Sequence, residues 1–268
     1  MHYGMRAFGP EDLETAGQLG FDFVEISLKE PVWVHRNLTL INRLKSRLGL
    51  FYVAHGPEEG NPKDLYGLRH DYLPKLKSAM ELAQRIRAKF VTIHLWFDRR
   101  YVDQTTLQGK MALLKEMVEY GQAKKMGVFL ENLSEEVEDL ILPFFEVRQV
   151  GLTLDIGHGQ LMRHQNTCFS IIDRIPERIK HVHVHDNQGG RSPRDDLHLP
   201  VGQGVVPIKE IVSGLVMSGY DGTMTLEVPA ESLTESLEKV KEMVSQAQVL
   251  RAQASRTGQP SARESGPA

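Results

Sequence analysis

A single cysteine, Cys168, occurs in the 268 residues. No intrachain disulfide can form, and there is no thiol cluster to hold a metal. That usage fits a reducing, cytoplasmic setting. Long apolar runs are missing too: no stretch approaches the roughly 18 uninterrupted apolar residues of a membrane-crossing helix. The opening MHYGMRAFGPEDLE has no basic segment followed by an apolar one, so it does not read as a secretory signal. Charge imbalance is slight, with a formal net charge of −3. A chain of that balance does not look built as a whole for nucleic acid, although local basic patches stay open. The apolar fraction of 41% is ordinary for a globular protein.

Alternation fills the chain instead. Strand-like runs lie near 2–6, 22–27, 51–55, 90–95, 127–132, 151–155, 180–185 and 223–228. Several are rich in Val, Ile, Phe and Thr, which suits buried strands. Helical patterns lie between them, near 10–19, 36–48, 67–88, 104–126, 134–146, 168–175, 207–219 and 231–252. In LPKLKSAMELAQRIRA, apolar residues recur at three- and four-residue spacing, giving one buried and one wet face. Its Lys and Arg, over 75–89, then form a solvated face. Ser134, before Glu135 and Glu136, reads as a helix cap. Gly20, Gly127 and Gly219 read as C-terminal helix stops.

Strand and helix repeated in this way imply parallel strands joined by helical crossovers. Eight units predict a closed (β/α)8 barrel, a TIM barrel, as one domain over 1–252. The residues from 253 to 268, rich in Ser, Gly, Pro and Ala from Ser255 onward, read as a disordered tail.

Metal-binding side chains recur at the tips of the apolar runs FYVAH, FVTIH, VFLEN, GLTLD, HVHVH and MTLEV. They are His55, His94, Glu131, Asp155, His158, His183, Asp196, His198 and Glu227. Any one histidine alone is more often a hydrogen-bonded or surface residue, and Asp155 alone could be a helix cap. Glu131 and Glu227 lie within apolar strands, where an unpaired carboxylate is costly to bury. In a barrel all these strand ends converge on one mouth. In an open sheet six of them would spread over more than about 20 Å, at roughly 4.8 Å per strand. Imidazole and carboxylate suit zinc, manganese, iron or cobalt. One catalytic ion usually takes three or four protein ligands, so the set implies two or three ions, with carboxylates able to bridge. Asp155-Ile156-Gly157-His158 puts a carboxylate at a strand end and an imidazole on the following loop. Asp196-Leu197-His198 precedes the turn Leu199-Pro200-Val201-Gly202-Gln203-Gly204, whose glycines permit close approach.

On these residues the chain resembles the xylose-isomerase-like barrel superfamily, which holds endonuclease IV and the sugar isomerases and epimerases. The resemblance covers roughly residues 1–250. Its carriers are AHGP at His55, TIHLW at His94, LEN at Glu131, LDIGH at Asp155 and His158, HVHVHD at His183, DLHLPVGQG at Asp196 and His198, and LEV at Glu227. In endonuclease IV the matching positions hold three zinc ions, so the resemblance implies zinc first, with manganese or cobalt as alternatives. It selects His183 from the alternating His181, His183 and His185, leaving His185 as the fallback and His181 for deeper packing.

Two chemistries follow from the resemblance. In a phosphoester hydrolase, the first expectation, His55, His94 and Glu131 hold one side of a metal cluster. His158, Asp196 and His198 hold another, while Asp155, His183 and Glu227 complete it. Arg99, Arg100, Arg191 and Arg194 would clamp phosphate. In a sugar or sugar-phosphate isomerase or epimerase, Glu131 and Glu227 face each other as an acid–base pair, and His158 orients a hydroxyl. The epimerase pattern carries an arginine a few residues past His183, where this chain has Gly189 with Arg191 nearby. The loop GPEEGNPKD puts Glu58 and Glu59 where DNA phosphates would be repelled. A metal- or DNA-binding module without catalysis is a third reading. Partners are thus a phosphoester or sugar phosphate, with DNA unsupported by charge, no membrane, and the oligomeric state open. Trp96, Phe97 and Tyr101 are candidates to stack on a base or sugar, although loop packing suits them better. His2, His35, His70 and His164 read as surface or loop residues.

Overall fold

The computed structural model describes residues 1–257. The strands are β1 (His2–Ala7), β2 (Phe23–Ser27), β3 (Phe51–His55), β4 (Phe90–Ile93), β5 (Gly127–Glu131), β6 (Gly151–Asp155), β7 (Ile179–Val184) and β8 (Thr223–Leu226). They pair in parallel in sequence order, and β8 closes against β1 into a barrel. One main helix follows each strand: Pro10–Gln18, Val32–Leu48, Leu73–Arg85, Gln104–Ala123, Val137–Glu146, Cys168–Arg174, Ile208–Ser218 and Leu233–Thr257. The expected (β/α)8 barrel is what the chain forms. Among the described residues, no helix is long and apolar enough to cross a membrane.

Strand side chains alternate between the two faces of the sheet, and this sorts the barrel wall. Outward residues such as Val24, Ile26, Tyr52, Val91, Leu152 and Val182 are buried in the main core shared with the helices. Inward residues form layers. At the N-terminal end, Phe23 and Phe51 stack at 5.0 Å and Phe90 and Phe129 at 4.3 Å. A Cβ at Gly4 would fall 2.3 Å from the Phe23 ring, so β1 must leave that layer empty. The next layer is polar but internally satisfied: Thr92 Oγ1 lies 2.9 Å from Thr153 Oγ1, and His181 Nε2 lies 3.1 Å from both Glu25 Oε2 and Thr225 Oγ1. The top layer opens to the C-terminal mouth.

Register sets the level of that top layer. Ser27 pairs with His55, His55 with Thr92, and Glu131 with Thr153. Between β6 and β7 the register slips: Leu152 pairs with Ile179 but Thr153 pairs with His181. The extra residue, Lys180, is exposed, and the bulge turns His181, His183 and His185 inward.

Three local expectations are corrected. Ser134 does not cap a helix. It is buried, with Oγ 2.8 Å from Asp98 Oδ2, and it accepts a hydrogen bond from Trp96 Nε1 at 2.9 Å. The helix starts later, at Val137, where the Asp139 carboxylate accepts from the Glu136 N–H. Gly20 and Gly219 adopt the left-handed conformation of helix stops, at φ 73° and 93°, but Gly127 does not. Lys125 takes that role at φ 57°. Gly127 opens β5, where a Cβ would meet the Phe129 ring at 3.0 Å and Phe90 Cβ at 3.1 Å. Finally, the last helix continues through Thr257, so 253–257 is helical, and 258–268 lies outside the described residues.

Candidate active site

The barrel places all nine expected donors around one mouth. His55, Glu131 and Asp155 are the last residues of β3, β5 and β6, and His94 and Glu227 come one residue after β4 and β8. His183 lies near the end of β7, and His158 opens a 3-10 turn over His158–Gln160. Asp196 and His198 come from the β7 loop, folded back by paired backbone hydrogen bonds between Asp186 and Leu199 of 2.9 and 2.7 Å. His198 itself is left-handed, at φ 48°, a conformation that costs energy for a non-glycine residue.

Within the mouth the donors fall into groups that could each hold an ion: His55, His94 and Glu131; Glu131, Asp155 and His183; and His158, His185, Asp196 and His198. Glu131 joins the first two. Its Oε2 lies 3.1 Å from His55 Nε2 and 2.9 Å from His94 Nε2, and its Oε1 lies 3.0 Å from His183 Nδ1. Glu227 Oε1 approaches the same His183 Nδ1 at 3.5 Å, and Asp155 Oδ2 at 3.6 Å. In the third group, Asp196 Oδ2 lies 3.2 Å from His158 Nε2 and 3.0 Å from His198 Nε2. The His185 and His198 rings stack at 4.0 Å.

The electrostatics are those of a buried charge cluster. Burial opposes protonation of His94, but Glu131 and Glu58 overcome it and push the imidazole up to about 10. His183 is likewise raised against burial by Glu227, Glu25 and Glu131, and His158 by Asp155 and Asp196. Burial raises Glu131, yet His183 and His94 hold it well below the ordinary carboxylate range. Without another cation, the imidazoles must carry the charge that balances these carboxylates. A divalent ion balances it equally well. Among the described mouth donors, Asp196 Oδ1 and His185 Nδ1 are buried without a hydrogen-bond partner, and Glu227 Oε1 meets only charged neighbours, Arg6 at 2.8 Å and His183 at 3.5 Å. Orphaned acceptors of this kind call for a ligand, and imidazole with carboxylate is a donor set for divalent metals.

Several contributors escape the sequence reading. Glu25, in the middle of β2, bonds both His181 and His183 from below. The cost of burial that singles out Glu131 and Glu227 applies equally to this carboxylate in FVEIS. Arg6 reaches in from β1, with Nη1 2.8 Å from Glu227 Oε1. Its place two residues after Gly4 on an inward face was the available signal. His185, expected only as the fallback for His183, joins the third group while His183 keeps its own place, and Glu58 closes on His94 Nδ1 at 3.3 Å. Asp186 had no legible signal, because its role depends on a loop fold.

A cavity of about 410 Å³ sits over the donors, lined by Arg6, Glu58, Glu59, Trp96, Met162 and others beside the donors themselves. None of the four expected phosphate-clamping arginines lines it. Arg100 is bound to Asp98 and Arg99 faces Asp139. Arg194 is exposed, and Arg191 lines a neighbouring cavity. Trp96 and Tyr101 stack on each other at 4.9 Å, while Phe97 is buried in the core.

A closed (β/α)8 barrel with clustered His and carboxylate donors at its C-terminal mouth defines a class of barrel enzymes whose chemistry sits on the strand ends. The chain belongs to the xylose isomerase-like TIM barrel family, whose profile matches residues 13–253. It is 27% identical over 278 residues to an uncharacterised protein of Methanocaldococcus jannaschii, covering 92% of each. It is 23% identical over 240 residues to fructoselysine 3-epimerase of Escherichia coli O157:H7, covering 82% of this chain and 85% of that one. A D-tagatose 3-epimerase-like protein superposes with a TM-score of 0.76 at 22% identity, over 95% of this chain and 100% of that chain.

Proposed function

We propose that the protein is a divalent-metal-dependent isomerase or epimerase of a polyhydroxylated carbonyl compound. This reverses the order of the two chemistries expected from sequence. The observation that carries it is the convergence of Glu131 and Glu227 on one imidazole nitrogen, at 3.0 and 3.5 Å from His183 Nδ1, beneath a cavity of about 410 Å³. A cavity of that size suits a small molecule, and Glu58 and Glu59 on its wall disfavour a polyphosphate strand. The epimerase named among the relatives supports the same reading.

Glu131, Asp155, His183 and Glu227 would hold the ion. Such an ion would polarise the substrate's carbonyl and so acidify the C–H on the neighbouring carbon. Glu131 would take that proton, and Glu227, protonated from solvent, would deliver its own to the other face of the carbon. Arg6 beside Glu227 helps hold that carboxyl below its ordinary value although burial pushes it up, so its resting form is the carboxylate, which suits it as the base in the reverse direction. Glu25 fixes the His183 ring by bonding Nε2, leaving Nδ1 toward the carboxylates. Orientation of a metal-binding imidazole by a carboxylate behind it is a general device. The buried Cys168 suits a reducing compartment such as the cytoplasm.

The test is turnover of a panel of ketoses and their phosphates by protein loaded in turn with manganese, cobalt and zinc. The reading requires activity that Glu131→Gln and Glu227→Gln each remove. Activity surviving in both variants would sink it. A second reading, phosphoester hydrolysis at a multinuclear centre, is favoured by the grouping of donors into sets that share Glu131. Near three zinc ions per chain by elemental analysis, together with release of phosphate from simple phosphoesters, would put it first.

A further inference from the structure

Beside the mouth lies a second cavity of about 410 Å³, lined by Tyr101, Met162, Arg163, His164, Gly190 and Arg191. Among the described residues, no carboxylate is in its lining. Met162 borders both this cavity and the mouth cavity, so the two are neighbouring lobes. His158 and Met162 are four residues apart, which limits their Cα separation to about 14 Å. The charges of the lobes are opposed: Glu58 and Glu59 wall one side of the mouth, and the second lobe presents cationic groups.

The lobe is held in shape from several sides. Met162 is left-handed at φ 57°, and its N–H donates to Gly190 O at 2.8 Å. Its own carbonyl accepts from Arg100 Nη1 at 3.0 Å. Arg163 is spent on structure, donating to Ser134 O through Nε at 2.9 Å and pairing with Glu136. Asp195 is also spent, accepting from the backbone N–H of Arg191 at 2.9 Å and of Ser192 at 3.0 Å. Among the described residues, the Arg191 guanidinium has no carboxylate partner, and both Arg191 and His164 are exposed. The lobe therefore offers a fixed backbone, one uncommitted guanidinium and one imidazole.

We propose that the substrate carries an anionic group, phosphate or carboxylate, at the end remote from the metal donors, and that this lobe binds it with Arg191 setting the preference. The proposal rests on the isomerase or epimerase reading and names its substrate class. On the wall of the mouth Glu58 and Glu59 are paired with Lys29 and Lys110, whereas past Met162 the Arg191 guanidinium is left for an anionic end of the substrate. An arginine makes paired, charge-assisted hydrogen bonds to either anion.

The experiment uses metal-loaded protein and three matched sets of probes: free ketopentoses and ketohexoses, their terminal phosphates, and the corresponding sugar acids. Binding is measured by calorimetry and C–H exchange by NMR in D2O, for wild type and Arg191→Gln. At least one anionic set should bind about tenfold or more tightly than the free sugars, and Arg191→Gln should remove most of that ratio. Which set it is separates phosphate from carboxylate. Equal affinity for neutral and anionic probes, no detectable binding by any probe, or an undiminished ratio in Arg191→Gln overturns the proposal. Exchange on free sugars without an anionic preference defeats the lobe and leaves the catalytic reading standing. An Arg191-dependent preference without exchange does the reverse.

Discussion

Removing the Asp186 carboxylate should loosen the loop that brings Asp196 and His198 to the mouth. Asp186 is buried, and its two oxygens accept four backbone N–H groups: Oδ1 from Asn187 at 2.9 Å and Val206 at 3.1 Å, Oδ2 from Gly202 at 3.0 Å and Gly204 at 2.9 Å. Gly202 and Gly204 are at least partly exposed, so water can replace their lost acceptor. Asn187 and Val206 are buried, and each orphaned N–H there costs about 1–3 kcal/mol. Asp186→Ala should therefore destabilise the protein by about 2–6 kcal/mol, or lower its Tm by about 8–16 °C at the midpoint of that range. Asp186→Asn keeps one acceptor oxygen for the buried pair and should cost less, about 1–3 kcal/mol. Urea denaturation followed by far-UV circular dichroism gives both values, provided the slopes match wild type. A cost below about 1 kcal/mol for Asp186→Ala would refute the assignment of this carboxylate as the loop's clamp.

Other outcomes follow from the same structure. Glu131→Gln should fold but lose all detectable turnover, because the side chain keeps its shape and loses the base; full activity in steady-state assays would contradict its role. Glu135 is buried and, among the described residues, forms no ion pair, and burial raises its carboxyl from 4.5 to about 7. A raised folded pKa adds stability that is complete below about pH 4.5 and lost as pH rises through 7, a change of about 3 kcal/mol. Glu135→Gln should flatten the stability difference between pH 5 and pH 8 by that order, as read from paired urea titrations; identical pH profiles would refute it. Gly204→Ala should damage the same loop as Asp186→Ala, since the added Cβ would sit 2.1 Å from Asn187 O and 2.2 Å from Asp186 Oδ1. Wild-type thermal stability in that variant would show that the loop yields easily.

Strand order and barrel closure were legible in the sequence because the local signals repeat. Apolar runs such as FVTIH and GLTLD end on a polar residue, and only a closed barrel brings such ends together. Glu131 and Glu227 were legible for a stronger reason, since a carboxylate inside an apolar strand needs a partner. Glu25 obeys the same rule but sits mid-strand, away from the mouth-level pattern that marks the others. The capping role given to Ser134 failed because Asp98 and Trp96, distant in sequence, draw its hydroxyl inward. Gly127 failed similarly, since packing against Phe90 and Phe129 outranks the helix stop. The arginines were least legible. Their positions on loops were visible, but the acids that bind Arg99 and Arg100 lie across the fold or bend back locally.

The central claim is that Glu131 and Glu227 move a carbon-bound proton. Its most direct test is NMR of ketoses and ketose phosphates incubated in D2O with metal-loaded protein. The account predicts deuterium at a carbon next to the carbonyl, at a rate that collapses in Glu131→Gln and Glu227→Gln alike. Conversion of one sugar into its isomer or epimer with every C–H retained would contradict it.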